Sequence, residues 1–187
     1  MRVLLHACCG PCASACAPAL RSAGHDPALF YSNSNIAPEE EFGRRLDSLR
    51  TLARADDLPL HVDPQDREAW EREVARGRES EPEKGARCAL CWRFNLSRTA
   101  RFARENGYDA FTTSLTVSPH KPSEMVFRAG RAAAAAEGVA FLEIDFKKRD
   151  GFKKSLERSR ALGLYRQNYC GCEYSAASAA GGAARGK

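Results

Sequence analysis

Cysteine is the residue type in this sequence best suited to chemistry. The chain carries eight in 187 residues, in three groups: Cys8, Cys9, Cys12 and Cys16; Cys88 and Cys91; Cys170 and Cys172. The first group contains Cys9-Gly10-Pro11-Cys12. That spacing serves thiol–disulfide exchange when it opens a helix, because the helix dipole favours the thiolate. Cys8 and the two distant groups have no part in such an exchange and fit metal binding instead. Adjacent sulfurs at a turn can address one polynuclear centre or two neighbouring ones. Cys88 and Cys91, three apart at the start of a helix, share a face one turn apart. Two such pairs supply the four thiolates of a [4Fe–4S] cluster or of a structural zinc site. Cys170-Gly171-Cys172, together with Cys12, either holds a second metal or forms a disulfide. Three groups exceed what one structural zinc needs, which favours a redox or two-metal site.

The elements that must position these sulfurs alternate between strand and helix. Arg2–Ala7 reads as a short buried strand ending at the cysteine turn, and a helix over Ala13–Ser22 follows, with Pro18 expected to limit or kink it. Ala28–Tyr31 and Leu58–Val62 read as strands on either side of an amphipathic helix, Glu39–Ala55. Asp66 is placed to cap a helix running to Ala75. The charged stretch Arg76–Arg87 reads as a mobile loop. Ala89–Asn106 is helical by pattern and stops at Gly107. Ala110–Thr113 and Val139–Ile144 read as the last two strands, with the alanine-rich helix Ser123–Glu137 between them, and a final helix spans Phe152–Leu162. Residues 1–175 are expected to form a single α/β domain, and the small-residue stretch 176–187 a disordered tail.

This alternation implies a doubly wound, mostly parallel sheet of about five strands. Ligands of such sheets sit beyond the carboxyl ends of the strands, where the strand order reverses. Cys8, Cys9, Cys12, Asn33, Asn35, the Thr112–Ser118 loop and Asp145 all fall on that edge.

Composition narrows the class. A 43% hydrophobic and 28% charged chain is ordinary for a globular protein. No run approaches the ~18 apolar residues of a membrane span, and the first residues lack a secretory pattern. A cytoplasmic location without membrane attachment is therefore expected, and clustered cysteines there favour metal or redox work over structural disulfides. The net charge of +5 suits a polyanionic partner such as nucleic acid. His6 reads as a core residue and Cys16 as packing. Trp92 and Phe94 suit either core packing or base stacking. Asp145 closes an apolar strand, and the basic run Lys147, Lys148, Arg149, Lys153 and Lys154 just after it suits phosphate contact.

Six blocks of the sequence together resemble the cobalamin-independent epoxyqueuosine reductases of the QueH family. They are LLHACCGPCA (4–13), YSNSNIAPEEEFGRRL (31–46), GARCALCWRFNLSRTA (85–100), FTTSLTVSPHK (111–121), DFKKRDGFKKS (145–155) and LYRQNYCGCEYS (164–175). The resemblance implies a HUP-like Rossmannoid fold related to the nucleotide α-hydrolases. It also implies reduction of epoxyqueuosine to queuosine at the wobble base of tRNA, using a [4Fe–4S] cluster beside a second metal ion, iron or zinc. On this reading Cys8, Cys9, Cys88 and Cys91 hold the cluster. Cys12, Cys170 and Cys172 serve the second metal, with Asp145 beside them, and Asp145 or Tyr169 delivers a proton. Arg44, Arg45, Lys147, Lys148, Lys153 and Lys154 are the candidate tRNA contacts, and an unidentified donor supplies electrons. Many relatives of the wider fold bind ATP through a Ser-Gly-Gly loop after the first strand. Here Cys8-Cys9-Gly10-Pro11-Cys12 stands there, so no ATP use is expected. Two other readings remain at this point: a thiol–disulfide oxidoreductase using Cys9 and Cys12, and a zinc-stabilised RNA-binding module.

Overall fold

In the computed structural model five strands form one parallel sheet: β1 (Arg2–His6), β2 (Asp26–Tyr31), β3 (Leu60–Val62), β4 (Ala110–Thr113) and β5 (Ala140–Phe141), ordered β3-β2-β1-β4-β5. The structure describes residues 1–184; residues 185–187, the end of the expected disordered tail, lie outside it. From β1 the chain winds outward through β2 and β3, then crosses back to lay β4 on the other side of β1. The switch point therefore lies between β1 and β4, directly beyond which stand Cys8 and Cys9.

Alternation along the strands sends side chains to two helical layers. Val3, Leu5, Leu29 and Tyr31 pack with α1 (Gly10–Ser22) and α2 (Glu39–Ala55), where α6 (Gly151–Ala161) also lies. Leu4, Ala28, Phe30 and Phe111 pack with α4 (Ala86–Glu105) and α5 (Ser123–Glu137). Between β3 and α4 runs α3 (Arg67–Trp70), which widens into a π turn over Glu71–Ala75. Asp66 caps α3 by accepting from Ala69 N at 3.0 Å, as its position in the sequence indicates.

The departures from the sequence reading have local causes. α1 runs through Pro18 without stopping, since most of its residues are buried against the sheet and neighbouring helices and that packing outweighs one missing backbone bond. β5 pairs over two residues only, because Thr112 and Thr116 hydroxyls take the carbonyls of Leu142 and Ile144, each at 2.8 Å. Arg87 belongs to the interior rather than to a mobile loop. It is buried, donates to the carbonyls of Arg78 (2.6 Å) and Glu79 (3.0 Å), and lies over the Tyr174 ring. The stretch expected to be disordered from residue 176 is helical as α7 (Glu173–Ala184), in keeping with the helix propensity of its alanines.

The cysteine turn is pressed against α2. A Cβ on Gly10 would stand 2.6 Å from Ser48 Oγ and 2.7 Å from the Ser48 carbonyl oxygen, and the backbone there has nowhere to go. Gly10→Ala is expected to destabilise the protein by about 1–3 kcal/mol, read as a lowered thermal midpoint. An unchanged midpoint would mean that α1 and α2 are less tightly apposed than described.

Candidate active site

The site is built where β1 and β4 end. His6 pins the strand ends: its Nε2 donates to the Ser32 carbonyl (3.1 Å) just past β2, so its Nδ1 accepts from Thr113 Oγ1 (2.9 Å) at the end of β4. Burial holds its pKa below the ordinary range, consistent with the neutral core residue expected. The chain then turns. Cys8 N donates to Ser114 Oγ at 3.3 Å, and Cys9 becomes the N-cap of α1, its sulfur accepting from Cys12 N at 3.4 Å. Asn33 Nδ2 braces the turn through the Ala7 carbonyl at 2.9 Å. As a result the sulfurs of Cys8, Cys9 and Cys12 all lie within 4.8 Å of one another.

A cleft of about 440 Å³ opens beside this trio, lined among others by Cys12, Cys88, Trp92, Lys121, Gln167, Tyr169 and Cys170. A narrow hollow shares Cys88, Trp92 and Cys170 with it and adds Cys91, Cys172 and Trp70 to its walls. Seven of the eight cysteines thus gather at one rim, all as free thiols. Cys16 stands apart, its Sγ donating to the Cys12 carbonyl inside the α1 layer, as packing requires.

Hydrogen-bond donors sort the seven. Gln167 Nε2 reaches Cys9 Sγ at 3.1 Å, Lys84 N reaches Cys88 Sγ at 3.3 Å, and Trp70 Nε1 reaches Cys91 Sγ at 3.4 Å. Ser114 Oγ stands 3.7 Å from Cys8 Sγ. Among the described residues no N–H or O–H donor reaches the sulfurs of Cys12, Cys170 or Cys172.

The electrostatics are those of crowded thiols. Burial pushes the Cys9 thiol up to about 12 and raises Cys88 and Cys91 as well. Cys12 is held high by its Cys8 and Cys9 neighbours and by burial, whereas those same sulfur contacts draw Cys8 well below the ordinary thiol range. A raised Cys9 is the reverse of the activated nucleophile that disulfide exchange needs at the first cysteine of such a pair. The all-parallel sheet also lacks the antiparallel hairpin of a thioredoxin-like fold.

Several expected site residues stand elsewhere. Arg45 is not a tRNA contact: it is buried, ion-paired to Glu41 at 2.7 Å, and donates to the carbonyls of Cys170 (2.8 Å) and Tyr169 (3.2 Å). It clamps the loop that carries the last two cysteines. Lys147 is spent inside the fold on Lys121 O (3.0 Å) and Ser123 Oγ (2.6 Å). Asp145 does not line the cleft, and its carboxylate accepts from Lys147 N at 3.2 Å. Tyr169 lines the cleft, but its hydroxyl is committed to the Ala37 carbonyl at 2.7 Å. Arg44, Lys148, Lys153 and Lys154 are exposed on the surface. Trp70, Lys84, Lys121, Arg166 and Gln167 escaped the sequence reading. Of these, Lys121, Arg166 and Gln167 carried a signal, each lying in a block that also holds a strand end or a cysteine.

Fold and rim together define a doubly wound α/β protein whose switch point is built from thiols. Residues 3–178 match the family described as Epoxyqueuosine reductase QueH. Relatives bearing that name include one from Acinetobacter baylyi, 35% identical over 175 residues covering 93% of this chain and 80% of the relative. Another is from Streptococcus pyogenes, 36% identical over 180 residues, 93% of this chain and 70% of the relative. A third, from Thermotoga maritima, is 32% identical over 177 residues, 92% of this chain and 89% of the relative. A crystal structure titled as a predicted subunit of tRNA methyltransferase, from Methanocaldococcus jannaschii, shares the fold with a TM-score of 0.57. It is 16% identical, with 84% of this chain and 73% of that one covered. This chain belongs to the QueH family.

The Arg45 clamp is open to test. Removing one partner of a buried, hydrogen-bonded ion pair costs about 3–5 kcal/mol. Arg45→Met should therefore lower the denaturation midpoint sharply, while Arg44→Met, at an exposed neighbouring position, should leave it in place. Equal effects would refute the clamp.

Proposed function

We propose that this chain reduces epoxyqueuosine to queuosine in tRNA, as an oxidoreductase of queuosine biosynthesis working in the cytoplasm. The observation that carries the reading is the sulfur rim and its donors. Cys8, Cys9, Cys88 and Cys91 are the four sulfurs that N–H or O–H groups approach. Such donors stabilise thiolate ligands and tune the centre they hold. In the proposal these four hold a [4Fe–4S] cluster. Cys12, Cys170 and Cys172, free of such donors, serve a second metal ion, iron or zinc. The donor set fits both groups, since every candidate ligand is a free thiol, and soft sulfur suits iron–sulfur clusters and zinc. Among the described residues no helix is long and apolar enough to cross a membrane.

Removing the oxygen of an epoxide to leave an alkene takes two electrons and two protons and releases water. When bound, the cluster supplies electrons singly and the second metal a Lewis acid for the oxygen, with an external donor replenishing the electrons. The chain's own residues bind and orient. The cleft is large enough for one base turned out of an anticodon loop, with the partly exposed Tyr169 ring on its wall. Lys84 and Arg166 line the mouth, and Arg44, Lys148, Lys153 and Lys154 are the exposed candidates for backbone phosphates, a type of contact that weakens as salt rises.

The test is reconstitution with iron and sulfide under anaerobic conditions, followed by assay on tRNA bearing epoxyqueuosine with a strong reductant and no cobalamin. Queuosine should form, and Cys88→Ser and Cys91→Ser should each lose cluster iron and activity together. Full iron content in both variants would defeat the ligand assignment. A colourless protein with stoichiometric zinc and no turnover would defeat the reductase reading.

A further inference from the structure

One charge in the cleft has no part in the proposed binding or ligand set. Of the charged side chains lining it, Glu83, Lys84, His120 and Arg166 are exposed, and among the described residues Lys121 alone is half-buried. A lysine withdrawn from water normally takes a carboxylate partner. Lys121 has none within salt-bridge distance among the described residues, and no described acceptor hydrogen-bonds its ammonium. What it shares the cleft with is sulfur: Cys12, Cys88 and Cys170 line the same walls.

The placement is enforced by the backbone. Lys121 precedes Pro122, which biases it toward an extended conformation and fixes where its side chain starts. The Lys121 carbonyl is held by Lys147 Nζ at 3.0 Å, and the same ammonium binds Ser123 Oγ at 2.6 Å, tying the start of α5 to the segment after β5. This explains the work of Lys147, which the sequence marks as a surface phosphate contact. Burial works against the Lys121 ammonium, yet the sulfurs of Cys170, Cys8, Cys12 and Cys9 outweigh it and keep the lysine above its ordinary range.

We infer that Lys121 is a positioning residue whose fixed positive charge compensates the thiolate centre and raises the reduction potential of what those thiolates hold. The inference rests on the reductase reading. Its physical basis is Coulombic: a cation beside the centre stabilises the form carrying the extra electron, and a half-buried charge is screened less than one fully in water.

The experiment is a redox titration of the reconstituted protein, followed by electron paramagnetic resonance, on wild type, Lys121→Met and Lys121→Arg. Iron and sulfide contents are measured beside it. The neutral variant should load iron normally and show at least about a tenfold smaller equilibrium constant for reduction, about 59 mV for one electron. The arginine variant should stay near wild type. A wild-type potential in Lys121→Met would overturn the inference. If that variant loads no cluster, Lys121→Arg decides: loading at the wild-type potential supports a need for charge, and the same loss in both variants rejects it. A wild-type protein without any iron–sulfur signal would instead sink the reductase reading, and this inference with it.

Discussion

Crowded thiols repel one another's ionisation, and this structure brings seven of them to one rim, three buried and four partly so. Cys9, Cys12, Cys88 and Cys91 all have their proton affinity raised by burial or by neighbouring sulfur. Left to themselves they are poor nucleophiles and a poor use of interior space. The arrangement makes sense once a cation replaces their protons, because metal binding couples ligand deprotonation to the folding of the site. Much of the surrounding structure then serves to hold the sulfurs in place. His6 ties three strand ends together, Cys9 caps α1, Trp70 and Lys84 address the α4 pair, and Arg45 clamps the Tyr169–Cys170 carbonyls.

The same constraint accounts for where function sits in the fold. A doubly wound sheet offers a crevice at its switch point, and polar backbone groups there usually receive a nucleotide. In this chain the turn after β1 spends those groups on its own side chains: Cys12 N on the Cys9 sulfur, and Cys8 N on the Ser114 hydroxyl. What remains open is the cleft, bounded by aromatic rings and by basic residues at its mouth. A shared scaffold with a distant tRNA-related structure therefore says nothing about shared chemistry. The chemistry follows from the thiols.

Local pattern carried much of the fold into view. Glu39–Ala55 and Ser123–Glu137 are helices with the bounds their periodicity indicates, Asp66 caps where its side chain permits, and the crossing from β3 to β4 follows from strand–helix alternation. Long-range contacts were not legible. Glu41 and Arg45 have the spacing of a surface ion pair on an amphipathic helix, and only the return of residues 165–171 over α2 buries them. Lys147 has the sequence context of solvent-facing charge, yet its ammonium binds the Lys121 carbonyl and Ser123 Oγ at the start of α5. Arg87 looked like loop, and the Tyr174 ring that covers it comes from the far end of the sequence. In the site, cysteine spacing announced a thiol centre. Residues acting on the sulfurs through one amide, indole or ammonium each carry no spacing signal, so Gln167, Trp70 and Lys121 emerged only in three dimensions.

The central claim is that the turn after β1 and the first turn of α4 grip one iron–sulfur centre between them. Anomalous diffraction at the iron edge, on crystals of anaerobically reconstituted protein, measures this directly. The account predicts a compact iron peak bonded to the sulfurs of Cys8, Cys9, Cys88 and Cys91. Iron confined to the hollow among Cys88, Cys91, Cys170 and Cys172, with Cys8 and Cys9 unbonded, would contradict it.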